Sequence, residues 1–159
     1  MNKQEAFLEN AKLLIDSLDI VPLLYGSLGL EYLMGENLDA EDIDILIPKV
    51  FVTERWPEFK ELLERNGYRP VDEHEHTFKK QGVAYSYAQL EELSSFADIS
   101  ESEIAVCTVG DVRFRLLSLP QYLKVYLASS KDGYRIHVRE KKDAEKIAFI
   151  KRMIGERAL

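Results

Sequence analysis

Residues 25–47 read YGSLGLEYLMGENLDAEDIDILI, a Gly-Ser pair followed, sixteen residues after the glycine, by Asp-Ile-Asp on an apolar stretch. Asp42 and Asp44 alternate with Ile43, Ile45 and Ile47. On a β-strand both carboxylates then leave one face while the isoleucines enter the core. Like charges held this close repel, so the arrangement is tolerated where a cation or a proton sits between them. Magnesium, a hard ion that takes oxygen ligands and is commonly shared with substrate phosphates, suits such a pair better than zinc.

The Gly-Ser pair supplies a complementary half. Residues 21–25, Val-Pro-Leu-Leu-Tyr, read as a short buried strand, and Leu28, Leu30, Leu33 and Met34 fit the inner face of a following helix. Gly26 and Ser27 fall at the strand-to-helix turn. Glycine lets a backbone approach a ligand closely, and a helix start directs N–H groups at a phosphate, with the Ser27 hydroxyl as a further donor. One element would hold phosphates and the next a metal.

This order of features resembles the nucleotidyltransferase superfamily of polymerase beta and the CCA-adding enzymes: apolar strand, Gly-Ser, helix, then Asp-x-Asp on the next strand, at Gly26, Ser27, Asp42 and Asp44. The resemblance implies an α+β fold, a small mixed sheet with helices packed on it. It implies Mg2+ held by Asp42 and Asp44 as catalytic residues, phosphates gripped at Gly26 and Ser27, and transfer of a nucleoside monophosphate from a nucleoside triphosphate to an acceptor hydroxyl. In the plainer reading Asp42 caps or pairs locally and Asp44 is a solvated strand residue, which leaves two charges within an apolar strand unexplained.

Many active members of the superfamily carry a third acid on a later strand. Here the matching segment is Val-Ala-Tyr-Ser-Tyr-Ala (83–88), with Ser86 where the acid is expected; Glu91, Glu92 and Asp98 are the acids nearby. The alternative is therefore a catalytically inactive nucleotide- or metal-binding, or regulatory, module of the same fold. Without a base to assist proton removal, binding can outlive transfer.

A looser resemblance, to minimal nucleotidyltransferases of the abortive-infection toxin type, lies in Phe114–Lys124 (FRLLSLPQYLK) and Lys141–Lys146 (KKDAEK). Lys124, Lys142 and Asp143 match that pattern, whereas Ser129 and Ser130 stand where arginine is common and Lys146 where a second acid is common. The match implies phosphate contacts by Lys124 and Lys142 and an RNA or protein acceptor. A solvated helix face explains these lysines equally well.

Composition sets bounds. The 159 residues suffice for one domain, expected to span 1–159. Neither a membrane-spanning apolar run nor a signal peptide is visible, which points to a cytoplasmic protein without membrane partners. Cys107, the single cysteine, lies in an apolar run and is expected to be a buried strand residue. Residues 1–111 hold 9 Lys/Arg against 23 Asp/Glu and residues 112–159 hold 12 against 5, so the last third is basic within a chain of net charge −7. Basic side chains and acidic metal ligands together would flank a triphosphate, although a basic tail on an acidic body is equally ordinary.

Along the chain, residues 3–18 read as an amphipathic helix with Phe7, Leu8, Ala11, Leu14, Ile15 and Leu18 on one face. Thr53 is the expected N-cap of a helix over 54–66 closed by Asn66-Gly67. Strands are expected at 68–71, 75–80 and 83–88, the last two joined at Gln81-Gly82, then a short helix near 89–96. A second hairpin, 103–108 and 112–117, turns at Gly110-Asp111; Ser118 and Gln121 have capping-box spacing, and 140–155 forms the last helix. Asp72, His74 and His76 would share a strand face, as transition-metal ligands or as the solvent side of an edge strand. The loop 131–139, with Tyr134 and His137 among cations, reads either as a nucleotide-stacking segment or as a simple turn between helices.

Overall fold

Seven strands, β1 (Leu23–Tyr25), β2 (Ile43–Ile47), β3 (Arg69–Asp72), β4 (Thr77–Lys80), β5 (Val83–Gln89), β6 (Ala105–Val109) and β7 (Val112–Leu116), form one mixed sheet in the order β3-β4-β5-β2-β1-β7-β6. The computed structural model describes residues 2–130 and 145–155. Its contacts divide the chain into two compact units, Met1–Glu91 with Ala105–Leu116 and Glu92–Ile104 with Leu117–Leu159. The whole sheet belongs to the first unit, as do helices α1 (Lys3–Leu18), α2 (Gly26–Met34) and α3 (Trp56–Arg65).

The strand with the aspartates is central, antiparallel to β1 and parallel to β5. Ile43, Ile45 and Ile47 are fully buried on one sheet face with Leu24, Phe78, Tyr85, Tyr87 and Phe114. Phe7 and Ala11 of α1 and Phe59, Leu62 and Leu63 of α3 complete that core. Edge-to-face ring pairs join helix to sheet, Phe7 with Phe114 at 5.3 Å and Phe59 with Tyr87 at 5.0 Å between centroids. Asn2 caps α1 by accepting the Glu5 N–H at 2.8 Å, and Asp19 ends it in the left-handed region at φ 54°.

Polar groups lie inside this core. Among the described residues the Asn10 amide and the Tyr68 and Tyr87 hydroxyls are buried without a hydrogen-bond partner. Burial raises the Tyr87 pKa well above the usual tyrosine value, and the nearby Tyr68 adds to the effect. Burial raises Tyr85 as well. The Asn10 amide offsets part of the shift at Tyr87, although the two do not meet hydrogen-bond geometry.

Local chemistry moved several expected boundaries. After Pro48 the chain forms a 3-10 turn over Lys49–Val52, and the Thr53 hydroxyl donates back to the Lys49 carbonyl at 2.9 Å instead of capping the next helix. Helix α3 starts later, at Trp56, with Pro57 in its first turn and Arg55 paired to Glu58 at 2.7 Å. β4 begins at Thr77 because residues 73–76 form a turn, with His76 at φ 52°. The hairpin at Gln81-Gly82 forms as expected, both residues with positive φ, as a two-residue primed turn requires. Cys107 is half-buried on the edge strand β6, not fully enclosed.

The second unit holds helices α4 (Glu92–Ala97), α5 (Leu119–Ser130) and α6 (residues 145–155). The capping box opening α5 is reciprocal: the Ser118 N–H donates to Gln121 Oε1 at 2.9 Å and the Gln121 N–H to Ser118 Oγ at 3.3 Å. Tyr122 and Tyr126, one turn apart, stack at 6.1 Å, and the Lys146 ammonium lies 5.2 Å over the Tyr126 ring. Residues 140–144 of the expected last helix lie outside the described residues. No helix among the described residues is long and apolar enough to cross a membrane.

Candidate functional site

Strand β1 runs directly into α2, and the chain turns between them at Gly26 with φ +64°. That conformation favours glycine, and a second constraint acts at the same atom. A Cβ built there would lie 2.5 Å from Asp44 Oδ2 and 3.3 Å from the Asp44 Cβ. The Gly-Ser turn and the second aspartate are thus brought into direct contact.

Asp44 is half-buried within β2, opposite Tyr25 in the antiparallel register and opposite Ser86 in the parallel one. Ser86 in turn faces Thr77 on β4, and their hydroxyls are 2.9 Å apart. Paired residues share a sheet face. Tyr25, Asp44, Ser86 and Thr77 therefore make a polar row across four strands, on the face opposite Ile43 and Ile45. Tyr25 and Thr77 were not among the sequence candidates. The signal for Thr77 was present, since a two-residue turn at Gln81-Gly82 fixes Thr77 opposite Ser86 by counting outward.

Asp42 stands differently from its partner. It is exposed in a bend one residue before β2, so the preceding connection and not strand pairing positions it. Gly35 closes α2 at φ 71°, the Asp39 N–H donates to Asn37 Oδ1 at 2.8 Å, and the Ala40 N–H donates to Glu31 Oε2 at 3.0 Å. Those bonds fix the loop up to the aspartate pair. An open hollow of about 560 Å³ beside this loop is lined by Leu28, Glu31, Asn37 and Asp39, but not by Gly26, Ser27, Asp42 or Asp44.

The other candidates separate. Glu91 accepts the Lys49 N–H with both carboxylate oxygens, at 2.9 and 3.0 Å, and so caps the far end of β2. Lys49 lies five positions beyond Asp44, a span on the order of 15 Å. Glu92, Asp98 and Lys124 belong to the second unit, where the Lys124 ammonium donates to the Asp98 carbonyl at 3.1 Å. Lys142, Asp143 and the loop 131–139 lie outside the described residues. Asp72, His74 and His76 do not share a strand face: Asp72 ends β3, His74 is in the turn, and the His76 ring packs against Trp56 at 4.6 Å. Among the described residues no group of three or more His, Cys, Asp or Glu side chains is placed to hold a metal ion.

The Asp42 and Asp44 carboxylates, two residues apart, with the glycine turn against Asp44, suit a hard dication that takes its remaining ligands from phosphate oxygens and water. They do not suit a metal held by protein ligands alone.

No protein-family model matches the sequence. Among solved structures, the fold is similar to the crystal structure of ANT(2″)-Ia in complex with adenylyl-2″-tobramycin, at 12% identity and a TM-score of 0.56 over 99% of this chain and 100% of that one. It is similar also to an antigenic nucleotidyltransferase-like protein from Paracoccidioides brasiliensis, at 16% identity and a TM-score of 0.61 over 92% of this chain and 74% of that one. The fold is that of the nucleotidyltransferase superfamily. The chain belongs to the family of the uncharacterised protein YnaI of Bacillus subtilis (strain 168), to which it is 40% identical over 154 residues, 97% of this chain and 99% of that one.

Proposed function

We propose that this protein transfers a nucleoside monophosphate from a magnesium-bound nucleoside triphosphate to an acceptor hydroxyl. The observation that carries the reading is the close approach of the Gly26 backbone to the Asp44 carboxylate, which supports reading the Gly-Ser turn as a phosphate cradle and Asp44 as a metal ligand on a nucleotidyltransferase fold. Asp42 and Asp44 would hold Mg2+, with Gly26, Ser27 and the N–H groups at the start of α2 gripping phosphate oxygens. When bound, the cation offsets the triphosphate charge and polarises the attacked phosphorus. The acceptor oxygen bonds to the α-phosphorus, the bond to the bridging oxygen breaks, pyrophosphate leaves and the hydroxyl proton passes to solvent. Lys124 and Lys142, with no assigned partner phosphate, are carried as phosphate ligands by the tail resemblance, which also suggests an RNA or protein acceptor.

Incubation with each triphosphate labelled at the α-phosphorus, with magnesium and candidate acceptors, tests this directly. Label should leave the triphosphate for a product, and the Asp42→Ala/Asp44→Ala double variant should abolish it. Transfer that is unchanged in the double variant contradicts the reading.

One observation favours a second reading. Ser86, not an acid, lies opposite Asp44, which suits a module that binds a metal-nucleotide complex and regulates a partner without turnover. Saturable triphosphate binding with no transfer to RNA, protein or small hydroxyl acceptors would select it.

A further inference from the structure

We propose that this site seats one divalent cation, not two, because the Thr77–Ser86 hydroxyl pair occupies the side of Asp44 where a second cation would need a carboxylate. The inference rests on the reading that Asp42 and Asp44 bind a metal-triphosphate complex, and it holds whether or not that complex is turned over.

Sites that use two metals for phosphoryl displacement hold them about 3.5–4 Å apart. Two dications at that separation repel one another four times as strongly as two unit charges, and bridging or flanking carboxylates offset the repulsion. Here the flank is fixed by the sheet. The strand next to β2 on the β5 side reads Val-Ala-Tyr-Ser-Tyr-Ala-Gln, with Ser86 in register with Asp44 and no acid along its length. A neutral hydroxyl contributes no charge, and this one is already engaged: its oxygen is 2.9 Å from Thr77 Oγ1 on the following strand. Thr77 is held opposite Ser86 by the tight turn at Gln81-Gly82, so the pair is part of the hairpin and not a chance rotamer. On the other flank the residue in register with Asp44 is Tyr25, also neutral. Glu91, the acid nearest in sequence to β5, is committed to the Lys49 N–H at the opposite end of β2. Asp44 therefore has neutral in-register neighbours on both adjacent strands, and Asp42, two residues away, is the carboxylate nearest to it in sequence among the described residues. One magnesium held by two carboxylates and completed by phosphate oxygens and water fits that donor set.

The test counts cations without needing turnover. The full-length protein is titrated with Mn2+ in the presence of a triphosphate whose α–β bridging oxygen is replaced by methylene, using each of the four bases in turn, and read by electron paramagnetic resonance and equilibrium dialysis. The wild type should bind one Mn2+ per chain beyond that chelated by free nucleotide, with the six-line spectrum of an isolated ion. Ser86→Asp should raise the count to two and give the broadened, exchange-coupled spectrum of a close pair. Ser86→Ala should leave it at one. Two coupled ions in the wild type, or loss of the ion in Ser86→Ala, overturns the one-cation assignment. No bound Mn2+ in the wild type, or one that survives Asp42→Ala/Asp44→Ala, overturns the underlying metal-nucleotide reading and the assignment with it. The wild-type count decides the matter even if Ser86→Asp fails to fold.

Discussion

A β-carbon at residue 26 and the carboxylate of Asp44 cannot occupy the space they share: built on the Gly26 backbone, the atom falls 2.5 Å from Asp44 Oδ2. Gly26→Ala thus adds a displaced carboxylate to the strain of φ +64°, which alone costs about 1–2 kcal/mol for a residue with a side chain. Gly82, at φ +79° with nothing within 4 Å of its absent Cβ, isolates the strain. By chemical denaturation, Gly26→Ala should lose more stability than Gly82→Ala. By calorimetry, it should also weaken magnesium-dependent triphosphate binding at least about tenfold, or about 1.4 kcal/mol, while Gly82→Ala leaves binding intact.

The tyrosines in the core make stability fall in alkali. Burial holds the Tyr85 and Tyr87 hydroxyls protonated well above the usual tyrosine value near 10. The unfolded chain loses those protons first, so the folded state binds more protons and stability declines as pH rises above about 10, by up to about 1.4 kcal/mol per pH unit per group. Denaturation curves between pH 8 and pH 11 should show the decline, and Tyr87→Phe should flatten it. Because the Tyr87 hydroxyl has no hydrogen-bond partner among the described residues, the same substitution at pH 7 should be neutral or stabilising by up to about 1 kcal/mol.

Glu91 is a structural acid at the end of β2. Glu91→Ala removes both acceptors of the Lys49 N–H and should cost about 1 kcal/mol in denaturation. Triphosphate affinity should not change, whereas a metal-binding or proton-accepting role would lower affinity or transfer.

Ser118 and Gln121 make the reciprocal contact expected from sequence at the start of α5. Ser118→Ala should destabilise by about 1 kcal/mol, and Ser118→Asp should restore most of it by accepting the same Gln121 N–H.

What could be read in advance follows the range over which each signal acts. The Gly-Ser turn, the apolar alternation of β2, the Gln81-Gly82 hairpin and the α5 capping box are local patterns, and all four appear in the fold. Thr53 misled because Pro48 starts a 3-10 turn that claims its hydroxyl, and the Asp72/His74/His76 alternation failed because a left-handed residue at His76 turns a would-be strand into a loop. The Asp44–Ser86 register joins residues 42 positions apart in the chain. No local pattern fixes it, and the resemblance alone pointed to Ser86. Asp42 shows the remaining gap: its spacing from Asp44 was plain, but its seat in a bend held by Asn37 and Glu31 depends on side-chain bonds across the loop.

Titration calorimetry of each nucleoside triphosphate, with magnesium and with chelator, on the wild type and on Asp42→Ala/Asp44→Ala, bears most directly on the proposed metal-nucleotide site. At least one triphosphate should bind with magnesium, lose most of its affinity in chelator and lose it equally in the double variant. Binding that is indifferent to magnesium and to both aspartates, or no binding of any triphosphate by the folded wild type, would contradict it.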